Sequence, residues 1–181
     1  MSTTTHLITA DELMRLPDNG RRYELIKGEL LTMSPASGKH GAIAMRLSRI
    51  LANYIEEREL GLTFTAETGF KLERDPDTVL APDFAFISRE RMSTPPDEFV
   101  MMAPDLVVEV GSPSQSNREI KLKAERWIKL GAKLVWVVQP KTRIVQVYRK
   151  SHLESFTEGQ TLECEDVLPG LRISLAYLFK F

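Results

Sequence analysis

The sequence predicts an α/β protein, a central mixed β-sheet flanked by helices, in one domain covering residues 1–181. Three observations carry that expectation. From Lys39 to about Glu59, residues Ile43, Leu47, Ile50, Leu51, Tyr54 and Ile55 recur at the spacing of one face of an amphipathic helix. Leu106, Val107, Val108 and Val110 form a branched apolar run, as in a strand covered on both faces. A helical stretch with Ile120, Ala124, Trp127 and Ile128 follows it after a short turn. Beyond Gly131, KLVWVVQP and RIVQVYRK are β-rich runs parted by Pro140-Lys141-Thr142, the mark of an antiparallel hairpin. A chain of 181 residues is long enough to bury a proper core and suits one domain.

Taken in order, Thr9 and Glu12 stand at the spacing of a capping box, so a short helix starts at Ala10 and Pro17 to Gly20 ends it. Arg22 to Met33 alternates around Lys27-Gly28, a hairpin signal that lets Tyr23, Leu25 and Leu30 face the core. Ser34 to Gly38 reads as a loop before the long helix, and Gly61 as the residue that closes it. Leu62 to Leu72, enriched in Thr and Phe, is expected as one strand, Glu73 to Val79 as a polar turn, and Leu80 to Ile87 as a further strand with Pro82 near its entry. Arg89 to Met102, with two prolines and mixed charge, is expected as an exposed loop. Leu153 to Phe156 and Leu162 to Cys164 are candidate edge strands, and the tail after Pro169-Gly170 folds back on the sheet.

Composition narrows the function. No apolar run approaches the ~18 residues of a bilayer span, and the polar start MSTTTH lacks a signal-peptide pattern, so a cytoplasmic protein is expected. One cysteine, Cys164, cannot close an internal disulfide. The histidines His6, His40 and His152 show no HExxH spacing, which argues against a redox or zinc enzyme. A net charge of −1 argues against non-specific coating of nucleic acid, yet leaves room for a nuclease whose acidic metal site offsets local basic patches.

The chemistry centres on one interruption. Glu109 lies inside the apolar run, where a lone carboxylate would cost several kcal/mol or more, so it must be paired, metal-bound or protonated. The turn Gly111-Ser112-Pro113-Ser114 ends that strand and offers caps to the helix. Lys123 borders the buried helix stripe, fourteen residues after Glu109, and is a suitable partner for it. Asp83 sits in the β-rich run before, and two carboxylates meeting at a sheet make an oxygen-rich site for Mg²⁺ or Mn²⁺. A lysine there would hold or deprotonate a water, or stabilise negative charge on a phosphate. Each residue also has a plainer reading: Asp83 as a strand-entry cap, Glu109 in a structural ion pair, Lys123 as a snorkelling lysine. Glu24 is a further neighbour, although alternation places it more readily on the outer face. His40 either contacts phosphate or only begins the long helix. Glu119 is expected to pair with Lys123 along the helix, Lys121, Arg126, Lys129 and Lys133 to form a solvated face, and Trp127 and Trp136 to lie in the core.

In this order, Pro82-Asp83, Glu109-Val110, Ser112-Pro113-Ser114 and a lysine in the next helix resemble the PD-(D/E)XK nuclease superfamily. The chain is most similar to its branch of small bacterial restriction-endonuclease-like proteins. The resemblance extends to YELIKGEL at 23–30, the helix after His40 and the end Tyr177 to Lys180. It implies a restriction-endonuclease-like fold and metal-dependent hydrolysis of DNA. Asp83 and Glu109 would then bind Mg²⁺ (or Mn²⁺), the Val110 carbonyl would be a further ligand, and Lys123 would assist. The superfamily's lysine two residues after the Glu is absent, since that position is Gly111, and Lys123 takes its place. A homodimer is expected from the need to cut two strands. Two other readings stay open: a nuclease fold that binds without cutting, and a partner protein whose sheet edge, RIVQVYRK, pairs with another chain.

Overall fold

The structure, a computed structural model, describes residues 6–17, 19–113 and 115–181; residues 1–5, with most of MSTTTH, and Asp18 and Ser114 of the turn motif lie outside the described residues. The first elements form a small layer of their own. Helix α1 (Ala10–Met14) opens on the capping box of Thr9 and Glu12. Strands β1 (Arg22–Ile26) and β2 (Glu29–Met33) are the expected hairpin, turned at Lys27 and Gly28 with φ of 49° and 79°. Helix α2 (Gly38–Glu57) then runs twenty residues behind its N-cap Ser37, burying Ile43, Leu47, Leu51 and Ile55. It is closed by Glu59, at φ 51°, rather than by Gly61. Gly61 instead opens β3 (Gly61–Thr65), where a Cβ would meet the Ile87 carbonyl at 2.1 Å.

The stretch expected as one strand from Leu62 to Leu72 is two. A turn with Glu67 at φ 84° separates β3 from β4 (Phe70–Glu73), and the two strands join different sheets. The same division recurs at 80–87. Strand β5 (Thr78–Leu80) ends at Leu80, the chain crosses at Ala81-Pro82-Asp83, and β6 (Phe84–Ser88) starts in the other sheet. Pro82 has no N–H to give a ladder, which suits a crossing point. Asp83 therefore stands at the junction of two sheets rather than within a strand.

The remaining chain builds the larger sheet: β7 (Leu106–Val110), helix α3 (Asn117–Lys129), β8 (Leu134–Gln139), β9 (Ile144–Tyr148) and β10 (Leu153–Thr157). Its order is β10-β9-β8-β7-β6-β3, with β7 and β8 parallel and the other pairs antiparallel. The parallel pair requires a crossover, and α3 supplies it. A four-stranded antiparallel sheet, β2-β1-β5-β4, holds the hairpin. RIVQVYRK is not an edge, because β10 pairs along it. Strand β11 (Thr161–Glu163) pairs with β12 (Arg172–Ser174) instead of extending the main sheet. The last helix, α4 (Leu175–Leu178), folds back as expected, with Arg46 of α2 donating to the carbonyls of Tyr177, Leu178 and Lys180.

Both faces of the larger sheet are covered, and this decides where β7 sends its side chains. Leu106, Val108 and Val110 pack with Ile43, Leu47 and Trp136 on the α2 side. Val107 packs with Ile120, Ala124 and Trp127 on the α3 side. Because strand side chains alternate, Glu109 falls on the α3 side with Val107. Burial of each large apolar side chain, Trp127 and Trp136 included, contributes about 1.5–3 kcal/mol. No helix among the described residues is long and apolar enough to cross a membrane.

Candidate active site

The sheet junction gathers Glu24, His40, Asp83, Glu109 and Lys123, five residues that come from five separate stretches of chain. Glu109 is 5% exposed and Lys123 9% exposed, so their charges must find each other. Lys123 Nζ lies 2.9 Å from Glu109 Oε1 and 2.9 Å from Glu24 Oε1, and it also donates to the Ala81 carbonyl at 3.4 Å. An ammonium has three protons, and here three acceptors take them. Trp127, one turn beyond Lys123 on the same face of α3, donates its indole N–H to Glu109 Oε1 at 2.8 Å.

Glu24 corrects the outward reading of β1. At 3% exposure it is buried, and its Oε1 also accepts from the Ala81 N–H at 3.0 Å. Alternation does set Glu24 opposite Leu25, but β1 is buried on both faces at these two residues, so the polar face is the site face. Glu119 does not pair with Lys123; it completes a capping box with Ser116, N-cap of α3.

Asp83 is held from two directions. Its Oδ2 accepts from the Val110 N–H at 2.7 Å and lies 3.2 Å from His40 Nε2. His40 is buried in the first turn of α2, its own N–H donating to the N-cap Ser37 hydroxyl, so it is a site neighbour and not only a helix start. Asp83 raises the imidazole above its ordinary pKa against an opposing burial effect, with Glu109 and the Val110 carbonyl adding to the rise. Burial would push Asp83 up, but His40, the Val110 N–H and Lys123 outweigh it and hold its carboxyl below the ordinary range.

Glu109 behaves in the opposite way. Burial pushes its carboxyl up to about 8, Lys123 opposes, and the nearby charges of Asp83 and Glu24 push it further up. Lys123 is held above its ordinary pKa because two carboxylates outweigh its burial. One lysine thus serves two acids with a third beside them, and this crowding of acids adds to burial in favouring the proton on Glu109. Asp83 Oδ1 and Glu109 Oε2 take part in no hydrogen bond among the described residues. Each carboxylate is anchored by one oxygen and presents the other.

The donor set, carboxylate oxygens with a backbone carbonyl close by, has the chemistry of a hard divalent cation. Among the described residues no three His, Cys, Asp or Glu side chains are gathered at ligand spacing. Two carboxylates with a carbonyl close by could serve an ion such as Mg²⁺, which takes one or two carboxylates and keeps several waters. Sequence reasoning did not find Trp127 as an anchor for Glu109, although its position four residues after Lys123 was a signal. Nothing in the sequence pointed to the Ala81 backbone groups.

A mixed sheet between helices with paired acids and a lysine at its rim is a restriction-endonuclease-like protein. The chain belongs to the Uma2 family, described as "Putative restriction endonuclease", which matches residues 10–176. It is 27% identical over 114 residues to an uncharacterized protein, sll1609, of Synechocystis sp., and that match spans 63% of each chain. Its fold is that of a solved structure titled as a putative nuclease belonging to DUF820 from Anabaena variabilis. The TM-score is 0.82 at 24% identity, covering 95% of this chain and 97% of that one.

Proposed function

We propose that this protein is a metal-dependent DNA endonuclease that hydrolyses phosphodiester bonds, acting as one domain over residues 1–181. In this reading Asp83 and Glu109 hold Mg²⁺ (or Mn²⁺), with the Val110 carbonyl as a further ligand. The observation that carries it is the pair of carboxylates, Glu109 buried and Asp83 partly buried, each anchored by one oxygen, at a junction where three acids meet one lysine and one histidine. Family membership supports the same class of reaction. When bound, the cation supplies Lewis acidity, lowering the pKa of a bound water and offsetting charge on the scissile phosphate.

The chain's own residues position and balance. The Val110 N–H and His40 fix Asp83, while Trp127 and Lys123 fix Glu109, so neither carboxylate has to reorganise. Lys123 stays protonated between two acids, which opposes a role as general base and suits it to hold Glu109 and offset developing negative charge. That same commitment of Lys123 to Glu24 and Glu109 favours a second reading, a nuclease fold that binds nucleic acid without cutting it.

Calorimetric titration with Mg²⁺ and Mn²⁺, beside plasmid nicking, tests the first reading on wild type, Asp83→Asn and Glu109→Gln. The expected result is binding and nicking by wild type, with both lost in variants that keep the wild-type circular dichroism. Wild type that binds no metal and nicks nothing returns the protein to the second reading. The proposed active form is a homodimer that brings two identical sites to two strands. Gel filtration giving only a 20.6 kDa species removes that part.

A further inference from the structure

The cations at the junction are already committed to its acids, so holding a polyanionic backbone there calls for other cations beside it. Two cavities open at the start of α2, the helix that carries His40, and both are walled by Ser37. The larger, about 1230 Å³, carries Arg21 and Arg22 but also Glu67, whose carboxylate lies 3.0 Å from Arg22 Nε and offsets that charge. The smaller, about 690 Å³, lies where the start of α2, the turn after β7 and the β8–β9 turn meet. It is lined by two lysines, Lys39 and Lys141, and by no acidic side chain. Neither lysine forms an ion pair among the described residues.

Two residues that line this smaller cavity are chain neighbours of the site. Lys39 immediately precedes His40, the residue on Asp83, and Gly111 immediately follows Val110, whose N–H holds Asp83. Gly111 N–H donates to the Val138 carbonyl at 2.8 Å, which ties the floor of the cavity to the ends of the parallel strands β7 and β8. A Cβ at Gly111 would crowd Ile120 Cδ1 at 3.3 Å. Opposite, Gln139 donates to Gln146 at 2.9 Å and accepts from Thr142 at 3.1 Å, so the turn that bears Lys141 is braced.

We infer that the cavity between Lys39 and Lys141 is a subsite for the DNA phosphodiester backbone next to the scissile bond, a binding role resting on the nuclease reading above. Both lysines are exposed and unpaired by acids, so their charge is available to a ligand rather than spent within the fold.

The test is fluorescence anisotropy of a fluorescein-labelled mixed-sequence DNA duplex against the full chain over a salt series, in EDTA and again in Ca²⁺. Plasmid nicking in Mg²⁺ is run on the same preparations. The variant is Lys39→Gln/Lys141→Gln, and the control is Lys121→Gln/Lys129→Gln on the exposed face of α3. The subsite predicts an affinity loss of about tenfold or more at low salt, and a log–log salt slope shallower by about 2, in the variant and not in the control. The inference is overturned by a variant that binds like wild type, by an equal loss in the control, or by wild type that binds no duplex in either condition. If wild type and control bind, the variant binds weakly and none nicks, the subsite stands and the cleavage reading falls.

Discussion

Strand β7 has a buried acid at each end, and the two differ in what surrounds them. Asp105, just before its first residue, is 1% exposed, and Glu109, near its last, is 5% exposed. Asp105 faces two cations, Arg91 at 2.9 Å and Lys133 at 2.6 Å, and accepts from the Ser88 N–H at 2.8 Å. Burial would raise its carboxyl, but Lys133, the Ser88 N–H and Arg91 together hold it below the ordinary range. Glu109 shares one lysine with Glu24 and has Asp83 beside it, so its carboxyl is held up. Two acids with little exposure thus have opposite electrostatics, Glu109 through lying deeper in the protein as well as through fewer cations. An acid with surplus cations pins the 89–103 loop and the start of β8 to the sheet, whereas an acid short of them is poised to take another cation.

Removing the shared cation should have the largest effect. Lys123→Met leaves Glu24 and Glu109 buried without their ion pair, and the expected loss is about 3–5 kcal/mol of unfolding free energy in urea, with loss of nicking. A loss under 1 kcal/mol would mean that the two acids are compensated elsewhere. Trp127→Phe keeps most of the ring packing against Phe70 but deletes the donor to Glu109, and about 1–2 kcal/mol is expected for leaving that buried acceptor without its partner. Its effect on nicking should exceed that of an equally destabilising change far from β7.

At the other end, Asp105→Asn keeps an acceptor for the Ser88 N–H. It leaves the half-buried Arg91 and the exposed Lys133 near water, so about 1 kcal/mol is expected, with nicking of the folded protein unchanged. Reduced nicking beyond the loss of folded protein would join the two ends functionally and end the contrast.

The two ends also differ in pH dependence, where their effects have opposite sign. The folded-state pKa of Asp105 is lowered, so its contribution is full above its ordinary value of 3.8 and is lost as pH falls through the folded value. That of Glu109 is raised, so the folded state binds the proton more tightly than the unfolded chain. Its contribution is full below 4.5 and is lost as pH rises through about 8. Denaturation in EDTA between pH 5 and 8 should show wild-type stability declining more steeply than that of Glu109→Gln. His40, also raised, adds a decline of the same sign to both proteins. Equal slopes would contradict the electrostatic account of Glu109.

Several site elements were legible in residues. Glu109 interrupting an apolar run, and Lys123 at the border of a helical stripe, identified a pair that the structure brings to 2.9 Å. The capping box of α3 was also readable, as Ser116 with Glu119 three residues on, yet Glu119 was assigned to Lys123 because helix-surface pairing and capping compete for the same residue. Glu24 was not legible: alternation separates it from Leu25 but says nothing about whether the second face meets solvent or another layer. The split of 62–72 and of 80–87 between two sheets was hidden for a related reason, since strand composition looks the same whichever sheet a strand joins.

By itself the sequence determined the elements whose rules act within a few residues: the long helix, the hairpin at Lys27-Gly28, the caps, the buried strand and the helix that follows it. Tertiary structure alone decided that a hairpin from one sheet would bring Glu24 to Lys123, that Pro82 would mark a crossing and set Asp83 between two sheets, and that Trp127 would anchor Glu109. The physical reason is range. Periodicity and capping follow from local backbone geometry, whereas the partner of a buried charge is chosen by whichever distant segment folding leaves across from it.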